Sequence, residues 1–174
     1  MKSFNFAGID YMFTGALAAS YYGTPRTTMD ADVIVRISSE GRSRSEFESA
    51  LKEAGVKVEK RRIDTAFESR FKIATFKDSR SPFTLDTIFS GTKLNKRPGT
   101  ILRLPTFYQI PEELILAKLR MIKATIPRER AFKDMEDVKA ILKFTKVDLN
   151  TLKRRAHISN VLPILEEILM ETKG

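Results

Sequence analysis

Two aspartates one residue apart, Asp30 and Asp32, stand at the start of an aliphatic run that continues through Val33, Ile34 and Val35. Residues i and i+2 of a strand project from the same face, so we expect the two carboxylates side by side. Two carboxylates that close repel each other unless one takes up a proton or a cation lies between them. The spacing therefore indicates either a solvated strand end or a site for a divalent metal, with Mg²⁺ suited to hard oxygen ligands.

A third aspartate, Asp86, lies in the segment Thr-Leu-Asp-Thr-Ile, within a run that is otherwise typical of a buried strand. An unpaired charge in a central strand is costly, so Asp86 needs either a basic partner or a metal shared with Asp30 and Asp32. Three carboxylates could hold two metal ions, which would align an attacking hydroxyl and a leaving phosphate. Asp30, Asp32 and Asp86 are therefore candidate catalytic residues and metal ligands, with a solvated strand end for the pair and a salt bridge for Asp86 as the alternatives.

The elements that must position these residues are predicted from periodicity and from β-branched and aromatic content. The predicted strands cover residues 9–14, 31–37, 56–59, 70–76, 83–89 and 101–107. The predicted helices cover residues 16–22, 47–54, 111–126, 129–144, 148–156 and 159–171. This order predicts an α+β fold, with a mixed β-sheet flanked by helices and then a helical C-terminal region.

Glycine and proline mark the predicted boundaries. Gly23 should end the first helix in a left-handed conformation, and Gly55 should end the second. Pro111 suits the first position of a helix, and Pro127 breaks that helix. We predict two regions, a core over residues 1–108 and a helical region over residues 109–174.

Charge favours a polyanionic partner without naming one. The chain carries 31 Lys and Arg against 22 Asp and Glu, a net charge of +9. Such an excess is typical of proteins that bind RNA, DNA or nucleotide phosphates, and abundant surface lysine is the alternative explanation. The basic segment 93–99 likewise indicates either a solvated hairpin tip or a contact to a phosphate backbone.

Composition excludes several kinds of chemistry. The 174 residues include no cysteine and a single histidine, so disulfides, cysteine-bound zinc, iron–sulfur clusters and a thiol nucleophile are excluded. No apolar run approaches the roughly 18 residues that a membrane-spanning helix needs. The N-terminal residues lack the pattern of a secretory signal, so we expect a cytoplasmic location and no membrane partner.

Residues 11–32 resemble the first motif of the nucleotidyltransferase superfamily. They are most similar to the branch of AbiEii-type toxins, in which a strand leads to Gly-Gly or Gly-Ser, a short helix, a Pro-Arg-x-Thr loop and then Asp-x-Asp on the next strand. Residues 112–119, Arg128 or Arg130, and residues 133–137 resemble the downstream lysine and Lys-Asp-x-x-Asp motifs. The likeness extends over about residues 10–142.

The resemblance implies a nucleotidyltransferase-like core whose Asp30, Asp32 and Asp86 bind Mg²⁺ or Mn²⁺. It implies that an acceptor hydroxyl attacks an NTP, that an NMP is transferred, and that Asp86 helps to deprotonate the hydroxyl. With the basic charge, it favours an RNA or tRNA end as acceptor. It also places the protein in a toxin–antitoxin setting, with an antitoxin protein as a further partner.

The resemblance also implies a nucleotide-binding set. Gly15 would let the backbone approach the triphosphate, Lys118 would meet phosphate charge, and Arg26 would steady the loop or contact phosphate. Ala16 occupies the position where many relatives have serine or a second glycine, and Thr14 supplies the nearest hydroxyl. This departure leaves open a nucleic-acid-binding protein with the same fold and little or no activity. NMP transfer to a protein or small molecule is a further alternative.

Overall fold

A computed structural model of the chain describes residues 1–23, 25, 27–37 and 41–173. Its helices are α1 (Lys2–Phe6), α2 (Gly15–Tyr22), α3 (Gly41–Glu53), α4 (Lys60–Glu68), α5 (Pro111–Ala124), α6 (Phe132–Phe144), α7 (Leu149–Ile158) and α8 (Leu162–Lys173). Its strands are β1 (Tyr11–Phe13), β2 (Asp30–Arg36), β3 (Val56–Lys57), β4 (Ile73–Asp78), β5 (Thr84–Ser90), β6 (Lys96–Ile101) and β7 (Leu104–Gln109). A short 3₁₀ turn at Arg128–Ala131 precedes α6.

The strands form one mixed sheet in the order β3-β4-β5-β2-β1-β7-β6. The β2–β5 and β1–β7 pairs are parallel, and the other neighbouring strands are antiparallel. The predicted fold class, a mixed sheet with helices followed by a helical C-terminal region, is confirmed.

The chain divides into two compact units, residues 1–17 with 27–109 and residues 18–26 with 110–174. In the first unit one face of the sheet is apolar, because Val33 and Val35 of β2 and Phe89 of β5 are buried on the same side. Phe47 from α3 packs against this face, with its ring 5.4 Å from that of Phe89 and 6.0 Å from that of Phe76. The acidic side chains of β2 and β5 therefore fall on the opposite face.

The second unit contains α5, α6, α7 and α8, which bury apolar side chains at helical spacing, such as Leu119, Ile141 and Leu152. As predicted, Pro111 begins α5 at a position where a missing N–H costs nothing. Asp148 caps α7 by accepting hydrogen bonds from two backbone N–H groups. Over the residues that the structure describes, no helix combines the length and the apolarity that crossing a bilayer requires.

Helix α4 was not predicted from the sequence. We predicted no element over residues 60–68, and a strand over 56–59 of which β3 keeps only two residues. The helix is short and strongly charged, and its fully buried side chains are only Ile63 and Ala66. Ile63, Ala66 and Phe67 do follow the i, i+3, i+4 spacing of an amphipathic helix, but the helix has 9 residues, fewer than the roughly 11–18 over which such a period is judged.

The β6–β7 hairpin corrects two further predictions. The single strand expected at residues 101–107 is two strands, and the basic segment 93–99 is not a hairpin tip, because β6 begins within it. The chain turns instead at Leu102 and Arg103, which both adopt left-handed conformations, with φ of 49° and 64°. Two-residue hairpin turns of this kind normally carry glycine or asparagine, so no turn was predicted at these two residues.

Gly23 ends α2 without the left-handed conformation that we predicted, since its φ is not positive. A Cβ at this position would lie 2.8 Å from the Cβ of Ala140 in α6. Close packing of two helices, rather than a turn conformation, therefore requires glycine here. Gly55 does adopt the left-handed conformation, with φ of +80°.

Replacing Thr87 with valine should stabilise the protein. Thr87 is 0% exposed on β5, and its Oγ1 has no hydrogen-bond partner within the part of the chain that the structure describes. Valine has nearly the same shape and removes the buried hydroxyl, so we expect urea denaturation to show a gain of about 1 kcal/mol in the free energy of unfolding. The matched control is Thr106→Val, since the buried Thr106 hydroxyl shares a 3.1 Å hydrogen bond with Tyr11 and its loss should destabilise. Equal effects of the two changes would contradict the prediction.

Candidate active site

The three predicted site aspartates lie on one face of two neighbouring parallel strands. The register of β2 and β5 pairs the Cα atoms of Asp32 and Asp86, and it pairs Asp30 with Thr84. Neighbouring strands lie about 4.8 Å apart, and Asp30 is two residues from Asp32 on the same strand. The backbone thus brings together carboxylates that are far apart in the sequence.

Threonine hydroxyls on the adjacent strands hold two of these carboxylates. Thr84 on β5 donates a hydrogen bond to Oδ1 of Asp30, and Thr75 on β4 donates one of 2.5 Å to Oδ1 of Asp86. Asp30 is exposed, whereas Asp32 and Asp86 are half-buried. Sequence reasoning missed both threonines, although Thr84 begins the quoted Thr-Leu-Asp-Thr-Ile segment and strand alternation would have placed it on the face of Asp86.

The side chains as placed do not form a metal site. Among the described residues, no three His, Cys, Asp or Glu side chains are grouped so that they could hold a metal ion. The carboxylates of Asp30 and Asp86 are instead turned toward their threonine partners. The donor set of three carboxylates on one face still fits a hard divalent cation. The shared metal therefore stays a prediction.

Gly15 is tightly fitted against this acidic face. It begins α2 two residues after the end of β1, with φ of +56°, and a Cβ built on it would lie 2.0 Å from Oδ2 of Asp32. The preceding backbone is also fixed, because the N–H of Thr14 donates a 3.0 Å hydrogen bond to the carbonyl of Asp32. The first turn of α2 therefore starts against the Asp32 carboxylate.

The other predicted nucleotide-binding residues differ in their surroundings. Ala16 is 9% exposed in the first turn of α2. Thr14 does not offer its hydroxyl proton to a phosphate, because it is buried and donates a 2.6 Å hydrogen bond to Gln109. Arg26 lies outside the described residues.

Lys118 lies in the second unit, on α5, where two carboxylates bind its ammonium. The Nζ atom is 2.9 Å from Oδ1 of Asp134 and 2.7 Å from Oδ2 of Asp137, both on α6. The side chains of Lys118 and Asp137 are only 6% and 8% exposed. This cluster explains why the sequence carries a lysine and a Lys-Asp-x-x-Asp motif that face each other across two helices.

The fold is that of the nucleotidyltransferases. The crystal structure of ANT(2″)-Ia in complex with adenylyl-2″-tobramycin matches with a TM-score of 0.58 and 13% identity, over 80% of this chain and 82% of that chain. The solution structure of the antibiotic-resistance factor ANT(2″)-Ia matches with a TM-score of 0.65 and 14% identity, over 98% of this chain and 92% of that chain.

A third solved structure is an antigenic nucleotidyltransferase-like protein from Paracoccidioides brasiliensis. It matches with a TM-score of 0.60 and 14% identity, over 93% of this chain and 88% of that chain. No family model and no curated protein sequence matches this chain. At these identities the three structures establish the fold.

Proposed function

We propose that the protein is a metal-dependent nucleotidyltransferase that moves an NMP from an NTP to an acceptor hydroxyl. The observation that carries this proposal is the pairing of Asp32 with Asp86, with Asp30 beside them, on one sheet face of a nucleotidyltransferase fold. A solvated strand end would explain Asp30 and Asp32, but it would not explain a third carboxylate in register on the next strand.

In this mechanism Asp30, Asp32 and Asp86 would hold Mg²⁺ or Mn²⁺. When bound, the metal supplies a positive charge that offsets the negative charge of the carboxylates and of the phosphates. Asp86 accepts the proton of the acceptor hydroxyl. The hydroxyl oxygen forms a bond to the α-phosphorus, the bond from that phosphorus to the bridging oxygen breaks, and pyrophosphate leaves.

The nucleotide is held by the remaining predicted residues. Gly15 and Ala16 present the backbone N–H groups at the start of α2, where the helix dipole favours an anion. Arg26 and Lys118 contribute positive charge to the phosphates.

The acceptor that we propose is an RNA, with a tRNA end preferred, because the net charge of +9 favours a polyanion. A toxin–antitoxin role, with an antitoxin protein as partner, is proposed on the resemblance of residues 11–32 to AbiEii-type toxins.

The test is transfer of labelled NMP from each of the four NTPs to a pool of tRNA. We expect labelled product with Mg²⁺ and none with EDTA, and restoration by added Mg²⁺ or Mn²⁺. Labelled product that forms equally well in EDTA would rule out the metal-dependent mechanism.

Replacing Gly15 with alanine should lower the rate of NMP transfer in a protein that still folds. Alanine at φ of +56° costs about 1–2 kcal/mol, and its Cβ displaces the Asp32 carboxylate. Because an error of about 1 Å in a reacting group can cost 10²-fold in rate, we expect transfer to fall by about that factor. The control is Gly8→Ala, since Gly8 has φ of +64° but no atom within 4 Å of an added Cβ. The control should lose only the stability that the left-handed backbone costs and keep its activity, and equal activity of the two variants would contradict the prediction.

The second candidate is a nucleic-acid-binding protein that keeps the fold without the activity. Two observations favour it, namely the threonine hydrogen bonds that satisfy Asp30 and Asp86, and alanine at position 16. Calorimetry separates the candidates, because such a protein would bind RNA with a steep salt dependence and would show no Mg²⁺-dependent affinity for NTP.

A further inference from the structure

A basic cleft lies on the first unit, between α4 and the open side of β4, and we call it the β4 cleft. Its volume is about 550 Å³, and its polar lining comes from Glu59, Arg61, Arg62, Thr65, Ser69 and Thr75. Among the described strands, β4 pairs with β3 only through Lys77 and Asp78. Among the described residues no strand therefore pairs with the outer side of the first half of β4, and Ile73, Ala74 and Thr75 of that half line the cleft.

The β4 cleft is directly connected to the acidic face. Thr75 lines the cleft, and its Oγ1 donates the 2.5 Å hydrogen bond to Asp86. The carbonyl of the same residue accepts a 3.3 Å hydrogen bond from Nη1 of Arg62. Thr75 therefore joins the cleft to Asp86, the residue that we propose accepts the proton of the acceptor hydroxyl.

The charge of the β4 cleft is positive. Glu59 supplies its one carboxylate, and Nε of Arg62 binds that carboxylate at 3.0 Å. The hydrogen bond and positive charge of Arg62, with a further contribution from Lys77, hold the pKa of Glu59 below its ordinary value. Glu59 is therefore ionised, and Arg62 balances its negative charge. Arg61 is exposed, and within the part of the chain that the structure describes it forms no ion pair. An uncommitted guanidinium therefore remains in the cleft.

We propose that the β4 cleft binds a backbone phosphate of the RNA acceptor and so brings the terminal hydroxyl of that strand to Asp86. The inference rests on the proposed function and adds to it the place and chemistry of acceptor binding. A guanidinium recognises phosphate through two parallel N–H groups, and Arg61 has these donors uncommitted. An amine-rich acceptor such as tobramycin would meet repulsion from Arg61 and Arg62 instead.

The test uses Arg61→Gln, which removes this charge without touching the acidic face, and Arg61→Lys, which retains the charge. The control is Arg103→Gln, an equal loss of charge at the turn between β6 and β7, at the opposite edge of the sheet. Binding of a single-stranded RNA is measured against salt concentration, and KM values for RNA and NTP are measured in the transfer assay.

For Arg61→Gln we expect RNA binding to weaken about five-fold, as for the loss of one exposed charged contact. The slope of log K against log salt should fall by about 0.7, as for the loss of one phosphate contact. KM for RNA should rise while KM for NTP and kcat stay unchanged, and Arg61→Lys should restore the slope. Transfer to tobramycin should be undetectable.

Two results would overturn this inference while leaving the proposed function intact. The first is that the wild-type protein transfers NMP to RNA, but Arg61→Gln and Arg103→Gln bind RNA with the same affinity and the same dependence on salt. The other is transfer to tobramycin that is faster than transfer to RNA. Conversely, if Arg61→Gln weakens RNA binding as expected but the wild-type protein transfers no NMP, the binding site stands and the proposed function fails.

Discussion

Replacing Asp32 or Asp86 with asparagine should lower the rate of NMP transfer by about 10²–10³-fold for each change. Asparagine keeps the shape of the side chain, so the sheet should remain intact, but it removes the negative charge that would bind the metal. The two residues occupy paired positions on β2 and β5, so the loss of either one leaves an incomplete ligand set. Single-turnover kinetics with saturating NTP and Mg²⁺ measure this loss directly.

Thermal unfolding distinguishes this effect from misfolding. Three carboxylates on one face repel each other when no cation is bound, so in EDTA each asparagine variant should unfold at the same temperature as the wild type or higher. Mg²⁺ should raise the Tm of the wild type and leave the Tm of the variants unchanged. Glu53→Gln, an exposed change at the end of α3, is the control for charge alone and should transfer NMP normally. A folded Asp32 variant that keeps more than a tenth of the wild-type rate would contradict the assigned chemistry.

Replacing Lys118 with methionine should destabilise the protein by about 3–5 kcal/mol, because it leaves the buried Asp137 without its cation. Adding Asp137→Asn should recover much of the loss, since the remaining carboxylate of Asp134 is 29% exposed and partly solvated. Urea denaturation of the single and double variants measures both steps. The double variant also tests phosphate binding, because KM for NTP should rise only if Lys118 contacts the nucleotide.

The matched control for Lys118 is Lys139, which also binds two carboxylates, those of Glu136 and Glu171, at 2.9 Å each. Its side chain is 30% exposed, so solvent replaces the lost contacts and Lys139→Met should cost less than about 1 kcal/mol. Similar losses for the two lysines would show that burial does not strengthen the Lys118 cluster.

The fold class and the face that carries the acids could be predicted from the sequence. Both depend on local patterns, namely the i, i+2 spacing of Asp30 and Asp32 at the start of a strand and the position of Asp86 within an apolar run. The parallel register that aligns Asp32 with Asp86 could not be predicted, because no local signal specifies which strands become neighbours. The same holds for Lys118, whose ion pairs with Asp134 and Asp137 are visible only once α5 and α6 are packed.

The missed features have local causes as well. Helix α4 is too short for its amphipathic spacing to stand out, and the hairpin turn at Leu102 and Arg103 uses residues that disfavour its conformation. Both mistakes affected the functional prediction. Helix α4 supplies the arginines of the β4 cleft, and the basic segment 93–99, which we interpreted as a loop, lies largely in strand β6.

The parallel pairing of β2 with β5 has a consequence for biosynthesis. Asp30 and Thr84, which face each other in the finished sheet, are 54 residues apart in the chain. Contacts that span such a distance require a long loop to close and so form slowly. A nascent chain on the ribosome therefore has no acidic centre until the end of β5 has emerged, so shorter translation products should be inert.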